Sequence, residues 1–363
     1  LSGTILHYYA GGNTARGFHS LYESNLKDLQ KLFILKGGPG TGKSSLMKAL
    51  GRHWENQGYN LECLHCSSDN DSIDGVILTD FNIGIVDGTA PHVIEPRVPG
   101  VIEEYINLGE AWDEAKLNEN KEQIISLTEE VSTSFSNAYH TFSEALAIHD
   151  EWEEIFIENM DFEALNSLTS NLIEKLYTSV KKDKRSRVRH RFLGAATPEG
   201  AKDCIPNLTA DLEKRYLIKG RPGSGKSTML KKLARAAEER GLDVEVYHCG
   251  FDPNSLDMVI VRELGFAIFD STAPHEYFPE RVGDEIVDVY QIAIKEGTDE
   301  KYAKEISEIS SRYSAKMKEG TAYLARAKEL HDQLENYYVE AMDFDVVANF
   351  RDKIQKHVES LVE

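Results

Sequence analysis

The chain of 363 residues is long for one compact domain and fits two of about 180 residues each. Its 41 basic and 61 acidic residues leave a net charge of −20, which speaks against an electrostatic grip on nucleic acid or on an anionic membrane. No apolar run approaches the about 20 residues of a membrane helix, and four Cys do not make a disulfide framework. Nucleic acid is therefore not an expected partner, and no membrane span is expected. The start, Leu1-Ser2-Gly3-Thr4, shows no basic segment ahead of an apolar one, so no signal peptide is expected. It also lacks Met, which leaves room for residues before Leu1. A cytoplasmic location is expected.

In chain order, a strand is predicted over 5–9, followed by a Gly-containing turn and a short polar stretch. A second strand over 32–36 runs into a Gly-rich loop. The helix after it carries Leu46, Met47, Leu50 and Trp54 at helical spacing and ends near Gly58. A strand over 61–66, a short helical stretch and a strand over 83–86 follow. From about residue 101 the pattern changes to a helical arm extending to about 180. Ile124, Leu127, Val131, Phe135, Ala138, Phe142, Ala145, His149, Trp152 and Phe156 recur in it at spacings of three and four. At ~1.5 Å per residue such a helix reaches about 50 Å. A shorter helix over 162–179 closes the unit.

The chain then repeats itself. Lys31 to Leu50 lies over Lys214 to Leu233 with half of the positions identical. The same offset pairs His7 with His190, His65-Cys66 with His248-Cys249, and Thr89-Ala90-Pro91-His92 with Thr272-Ala273-Pro274-His275. After small deletions His149-Asp150 meets His331-Asp332, and Met160-Asp161-Phe162 meets Met342-Asp343-Phe344. A second arm over about 284–361 keeps the seam more loosely. Two duplicated α/β units are expected, 1–183 and 184–363, each a mostly parallel sheet flanked by helices and bearing a long helical arm.

The strongest chemical signal is Gly37-Gly38-Pro39-Gly40-Thr41-Gly42-Lys43-Ser44, followed by Ser45, and its twin Gly220-Arg221-Pro222-Gly223-Ser224-Gly225-Lys226-Ser227, followed by Thr228. Glycines let successive backbone N–H groups turn around a phosphate, and the helix that follows adds the positive end of its dipole. The lysine supplies charge for β- and γ-phosphates, and the serine hydroxyl reaches Mg²⁺. In these strings the chain resembles the P-loop NTPase superfamily, whose Walker A motif both copies match. The resemblance implies an acid that helps hold Mg²⁺ at the end of a later apolar strand, and Asp87 after Ile83-Gly84-Ile85-Val86 and Asp270 after Phe266-Ala267-Ile268-Phe269 fit it. It also implies ATP as the nucleotide. Many hydrolytic members carry Glu directly after that acid; here the positions are Gly88 and Ser271. The whole chain looks like tandem bacterial proteins described only as ATPases or nucleotide-kinase-like.

Other residues shared by the copies have two readings each. Asp69 and Asp252 orient a water or an acceptor, or cap the next helix. Asp74 and Asp257 read as helix-surface or capping residues, and His65 and His248 as sheet residues satisfied by a local hydrogen bond, or as catalytic histidines. Thr89, His92, Thr272 and His275 sense the γ-phosphate or contact a bound substrate, or belong to a rigid loop whose His packs. Arg97 and Arg281 serve as arginine fingers, or form surface ion pairs. Cys63-Leu64-His65-Cys66 reads as buried strand, because the second copy has Val246 in place of Cys63. The basic run 181–191 reads as a solvated linker and strand entrance, or as a dock for an anionic partner or the other unit's acidic arm. The leading expectation is Mg²⁺-dependent ATP binding and hydrolysis, with nucleotide state moving arms that act on a protein partner or self-associate. The alternatives are a kinase using the arm as a lid, and a nucleotide-gated assembly factor without turnover.

Overall fold

The computed structural model describes residues 3–178 and 180–362. The readings made on Leu1 and Ser2, and on Ser179 at the end of the predicted closing helix, lie outside the described residues.

The first repeat contributes β1 (Ile5–Tyr8), β2 (Gly11–Thr14), β3 (Gly17–Ser20), α1 (Tyr22–Leu26), β4 (Lys31–Lys36), α2 (Lys43–Asn56), β5 (Leu61–His65), β6 (Ile73–Leu78), β7 (Ile83–Asp87) and β8 (Glu103–Asn107). Then come α3 (Glu114–Glu119), the long α4 (Lys121–Ile157) and α5 (Phe162–Tyr177). The second repeat follows the same plan with β9 (Val188–Phe192), β10 (Gly194–Thr197), β11 (Gly200–Asp203), α6 (Ile205–Leu208), β12 (Lys214–Lys219), α7 (Lys226–Glu238), β13 (Val244–His248), β14 (Leu256–Val261), β15 (Phe266–Asp270) and β16 (Asp284–Asp288). It ends in α8 (Val289–Ala293), α9 (Thr298–Lys301), the long α10 (Ala303–Ala341) and α11 (Phe344–Val362).

Each repeat builds a six-stranded sheet, ordered β1-β5-β6-β7-β4-β8 and β9-β13-β14-β15-β12-β16. The sheets are mixed. β6 and β14 run against both neighbours, while the other adjacent strands pair parallel. This corrects the helical stretch expected before 83. Every position of β6 is buried, so Ile73-Asp74-Gly75-Val76-Ile77-Leu78 lacks the alternation that marks a half-buried strand. The arms also begin later than expected, because 103–107 and 284–288 are edge strands beside β4 and β12. Their acidic residues suit an edge, and Asp284 is held there by the Arg215 guanidinium at 2.6 Å. The polar stretch after β1 is an antiparallel hairpin, β2–β3.

One face of each sheet turns toward the other. Tyr8, Leu32, Ile34, Leu64, Ile77 and Val86 share a core with Leu217, Tyr247, Met258, Ile260, Ala267 and Phe269. The outer faces take helices, and here the repeats exchange parts. Beside its own α2, the first sheet is covered by α11, through Val347, Ile354 and Val358. Beside its own α7, the second sheet is covered by α5, through Leu165, Leu172 and Tyr177. The crossings are pinned alike: Asp161 N–H donates to the Ala293 carbonyl and Asp343 N–H to the Ala111 carbonyl, both at 2.7 Å.

What carries the chain across is the pair α4 and α10, which lie antiparallel, with Glu151 at Arg312 (2.5 Å) and Glu144 at Lys316 (2.7 Å). The two expected arms thus form one paired arm. Its seam closes where Phe142, fully buried, packs on Gly320; a Cβ there would lie 2.4 Å from the ring. Burial of such a ring contributes about 2–3 kcal/mol. Among the described residues no helix is long and apolar enough to cross a membrane.

Candidate functional site

Each glycine-rich loop leaves the carboxyl end of a central strand, β4 or β12, and opens α2 or α7. The turn needs left-handed backbone at Gly40 (φ +67°) and Gly42 (φ +84°), and equally at Gly223 (+71°) and Gly225 (+85°). Register then sets the acid beside the loop, since Leu35 pairs with Asp87 and Ile218 with Asp270. Lys43 Nζ lies 3.7 Å from Asp87 Oδ2, and Lys226 Nζ 3.4 Å from Asp270 Oδ2, all four side chains being largely buried. Lys43 also donates to the Gly37 and Gly38 carbonyls (3.1 and 2.7 Å), and Lys226 to that of Arg221 (2.9 Å). Ser44 Oγ accepts from Ile73 N–H and Ser227 Oγ from Leu256 N–H (3.1 and 2.9 Å), tying each loop to β6 or β14. Thr41 and Ser224 hydroxyls close the loops onto the Gly38 and Arg221 carbonyls.

Thr89 and Thr272 fix the acids: each donates both its hydroxyl and its N–H to Oδ1 of Asp87 or Asp270. A Glu directly after Asp87 has no room, since a Cβ on Gly88 would stand 2.3 Å from Ile34. Ser271 is fully buried and exchanges hydrogen bonds with Tyr277. His92 is buried with Nε2 3.3 Å from Asp74, whereas His275 turns Nδ1 to Asp203 at 3.0 Å. Burial lowers the His275 pKa, but the bond to Asp203 and the nearby Asp257 outweigh it, and the net shift is upward. Arg97 is spent on Glu23 (2.5 Å). Arg281 donates to the Thr209 and Ala210 carbonyls and lies near Asp284, at the end of β12 remote from the loop. Neither arginine is brought to a loop lysine.

Asp74 and Asp257 are not helix residues. They stand on β6 and β14, across from Asp87 and Asp270 by the register of the flanking pairs. Burial pushes the Asp74 carboxyl up, against the pull of His92, and Tyr22 donates to it at 2.8 Å. Burial, joined by Asp270, pushes Asp257 up to about 6. Behind each loop lysine there is thus a pair of carboxylates, one against the lysine and one that burial disposes toward its protonated form. The aspartate after Ile83-Gly84-Ile85-Val86 was legible; its strand neighbour was hidden by reading β6 as helix.

Asp69 and Asp252 close the turns into β6 and β14, with no helix to cap. Asp69 accepts from Ser72 Oγ and Asp71 N–H, and Asp252 from Asn254 N–H. Both are also approached by a cation of the other repeat: Lys328 lies 3.8 Å from Asp69, and Arg16 donates to Asp252 at 2.8 Å.

The long helices cover the loops crosswise. A Cβ on Gly38 would meet the Tyr338 ring at 2.7 Å, and one on Gly40 the Glu335 carbonyl at 2.9 Å. A Cβ on Gly223 would meet the Glu153 carbonyl at 2.5 Å. Here lie His331, Asp332 and Glu335 over the first loop, and His149, Asp150 and Glu153 over the second, each trio with ligand-type atoms within 4.8 Å of one another. Burial lowers the His149 pKa and raises that of Glu153, both in the field of Lys226 and Asp252. The sequence held one signal for these residues, the His-Asp shared by two otherwise diverged arms.

Away from the loops, His7 and His65 stand 2.9 Å apart, as do His190 and His248, and burial, reinforced by His7, brings His65 down to about 4. Cys63 joins the first pair, but burial holds its thiol up at about 12, so it offers no thiolate. The basic run is engaged within the fold, Lys184 with Asp243, Arg189 with Asp28 and Arg191 with Glu62. Comparison with protein families, with curated proteins and with solved structures gives no match for this chain.

Proposed function

We propose that the chain is a P-loop protein that binds ATP with Mg²⁺ at both glycine-rich loops and hydrolyses it. The observation that carries this reading is the lysine–aspartate pair behind each loop, at 3.7 and 3.4 Å, built twice from the same strand–loop–helix unit. Left-handed glycines are the backbone form that lets loop N–H groups turn around a phosphate, and the lysine that now rests on loop carbonyls is the group to transfer onto it. Ser44 with Asp87, and Ser227 with Asp270, are hard oxygen donors of the kind Mg²⁺ takes. Bound there, the ion would offset the charge of the phosphates. Thr89 and Thr272 keep the acids aimed.

A kinase is the second reading, favoured by one observation. Helices of the other repeat lie on both loops, as a lid that shields a phosphoryl group from water would.

The test follows γ-labelled ATP with Mg²⁺ and no acceptor, in wild type, Lys43→Ala, Lys226→Ala and the double variant. Each single variant is expected to lose its own site, by about 100-fold, and the double to release no phosphate. Unchanged release in the double variant refutes the assignment. Nucleotide bound by wild type without release selects the kinase reading.

A further inference from the structure

We propose that each loop works only together with the other repeat's long helix: the His331–Glu335 pair of α10 serves the loop of Lys43, and the His149–Glu153 pair of α4 serves the loop of Lys226. The inference rests on the nucleotide reading above and adds where each site's remaining polar groups come from.

Three observations converge. The covering is reciprocal and close, with the Glu335 backbone against Gly40 and the Glu153 backbone against Gly223, so only glycine fits beneath either helix. The pairs are alike, each an imidazole Nδ1 3.7 Å from a carboxylate one helical turn on. The exchange also reaches the strand-end acids, since Lys328 of α10 lies by Asp69 of the first site and Arg16 of the first repeat holds Asp252 of the second.

Packing alone does not account for the first pair. The arm is held by its apolar seam, with Ala138, Phe142 and Leu324 buried in it, whereas His331 and Glu335 stay partly exposed. His140–Glu144 shows what an incidental pair looks like. It has the same spacing and the same 3.7 Å, but it is more exposed and its α10 counterparts are Ala322 and Arg326. The chemistry at the loops calls for further polar groups beside Lys43 and Lys226. The other repeat's helix brings the Glu335 backbone onto Gly40 and the Glu153 backbone onto Gly223, and His149 and Glu153 lie in the field of Lys226. We assign each His–Glu pair a positioning role toward the phosphate end of the nucleotide.

The test isolates one loop at a time. In the Lys226→Ala protein only the first loop turns over, and His331→Asn or Glu335→Gln is expected to lower kcat at least about tenfold with KM little changed. In the Lys43→Ala protein the same loss is expected from His149→Asn or Glu153→Gln. His140→Asn is the control and leaves both backgrounds as they were. Thermal unfolding of each variant accompanies the kinetics. The inference is overturned if the loss follows the helix of the same repeat, if kcat does not move, or if the unfolding temperature falls together with kcat. A fluorescent ATP analogue separates the two levels. If wild type fails to bind it, or the double lysine variant binds it as well, the nucleotide reading fails and this inference with it. If binding follows the lysines but kcat ignores the histidines, only the inference fails.

Discussion

The two loops share lysine, serine and aspartate, yet they differ in how tightly they are covered. Over the first, a Cβ on Gly42 would meet Phe344 at an ordinary 3.6 Å; over the second, one on Gly225 would stand 2.4 Å from Leu165. His149 is further packed against Phe251 and Tyr313, ring to ring at 6.2 and 5.5 Å, while His331 has no such surround among the described residues. The cation that reaches the strand-end acid also changes origin, from the long helix at the first site to the β2–β3 hairpin at the second. Duplication kept the groups on the loop side and let the covering side drift. The second site is the more enclosed, and that contrast can be broken or sharpened by substitution.

The largest effect belongs to the glycines beneath the helices. Gly223→Ala combines a left-handed backbone with a helix carbonyl at 2.5 Å, and about 3 kcal/mol of stability should be lost. Gly40→Ala, at 2.9 Å, should lose about 2 kcal/mol, and Gly17→Ala, left-handed in open space, about 1 kcal/mol. Urea midpoints give the order directly, and equal losses at Gly40 and Gly223 would remove the difference in enclosure.

Next comes the acid pair. Asp257 is held at about 6 against an ordinary 3.8, so the folded chain binds this proton more tightly than the unfolded one. Its contribution is favourable at low pH and is lost as pH rises from about 4 through 6. Asp257→Asn should therefore raise the unfolding temperature by a few degrees at pH 7.5 and leave it unchanged near pH 4. Asp74→Asn, whose carboxyl already has His92 beside it, should gain less. A loss of stability at pH 7.5 on Asp257→Asn would contradict the assigned cause.

The smallest effects are those of the crossing cations. Arg16 is half exposed and Lys328 a quarter, so replacing either by Ala should cost below about 1 kcal/mol in folding. Their signature is selectivity: Arg16→Ala should alter phosphate release only in the Lys43→Ala protein, and Lys328→Ala only in the Lys226→Ala protein. Changes in the opposite backgrounds would show that the covering is not crossed.

Much of this arrangement was legible from residues alone. The glycines, the lysine and an apolar strand ending in aspartate are local patterns, and the repeat marked both copies. What was not legible depends on partners far away in sequence. An all-buried run such as Ile73-Asp74-Gly75-Val76-Ile77-Leu78 looks the same in a helix and in a central strand, so Asp74 stayed on the wrong element. A seam on α5 says that the helix is covered on one side, not which sheet covers it. Leu165 and Leu172 fit either sheet by pattern, and only the span of α4 decides that they reach the second.

The exchange of α5 and α11 has a consequence for how the chain is made. Synthesis runs from the amino end, so the first sheet, with Phe33, Leu35 and Ile85 on its outer face, emerges long before the helix that finishes covering it. α5 likewise emerges before the sheet it covers. The first repeat therefore waits, its outer face covered by α2 and still open where α11 belongs, for that helix to leave the ribosome. Nascent chains crowded on one message have the means to finish one another instead of themselves.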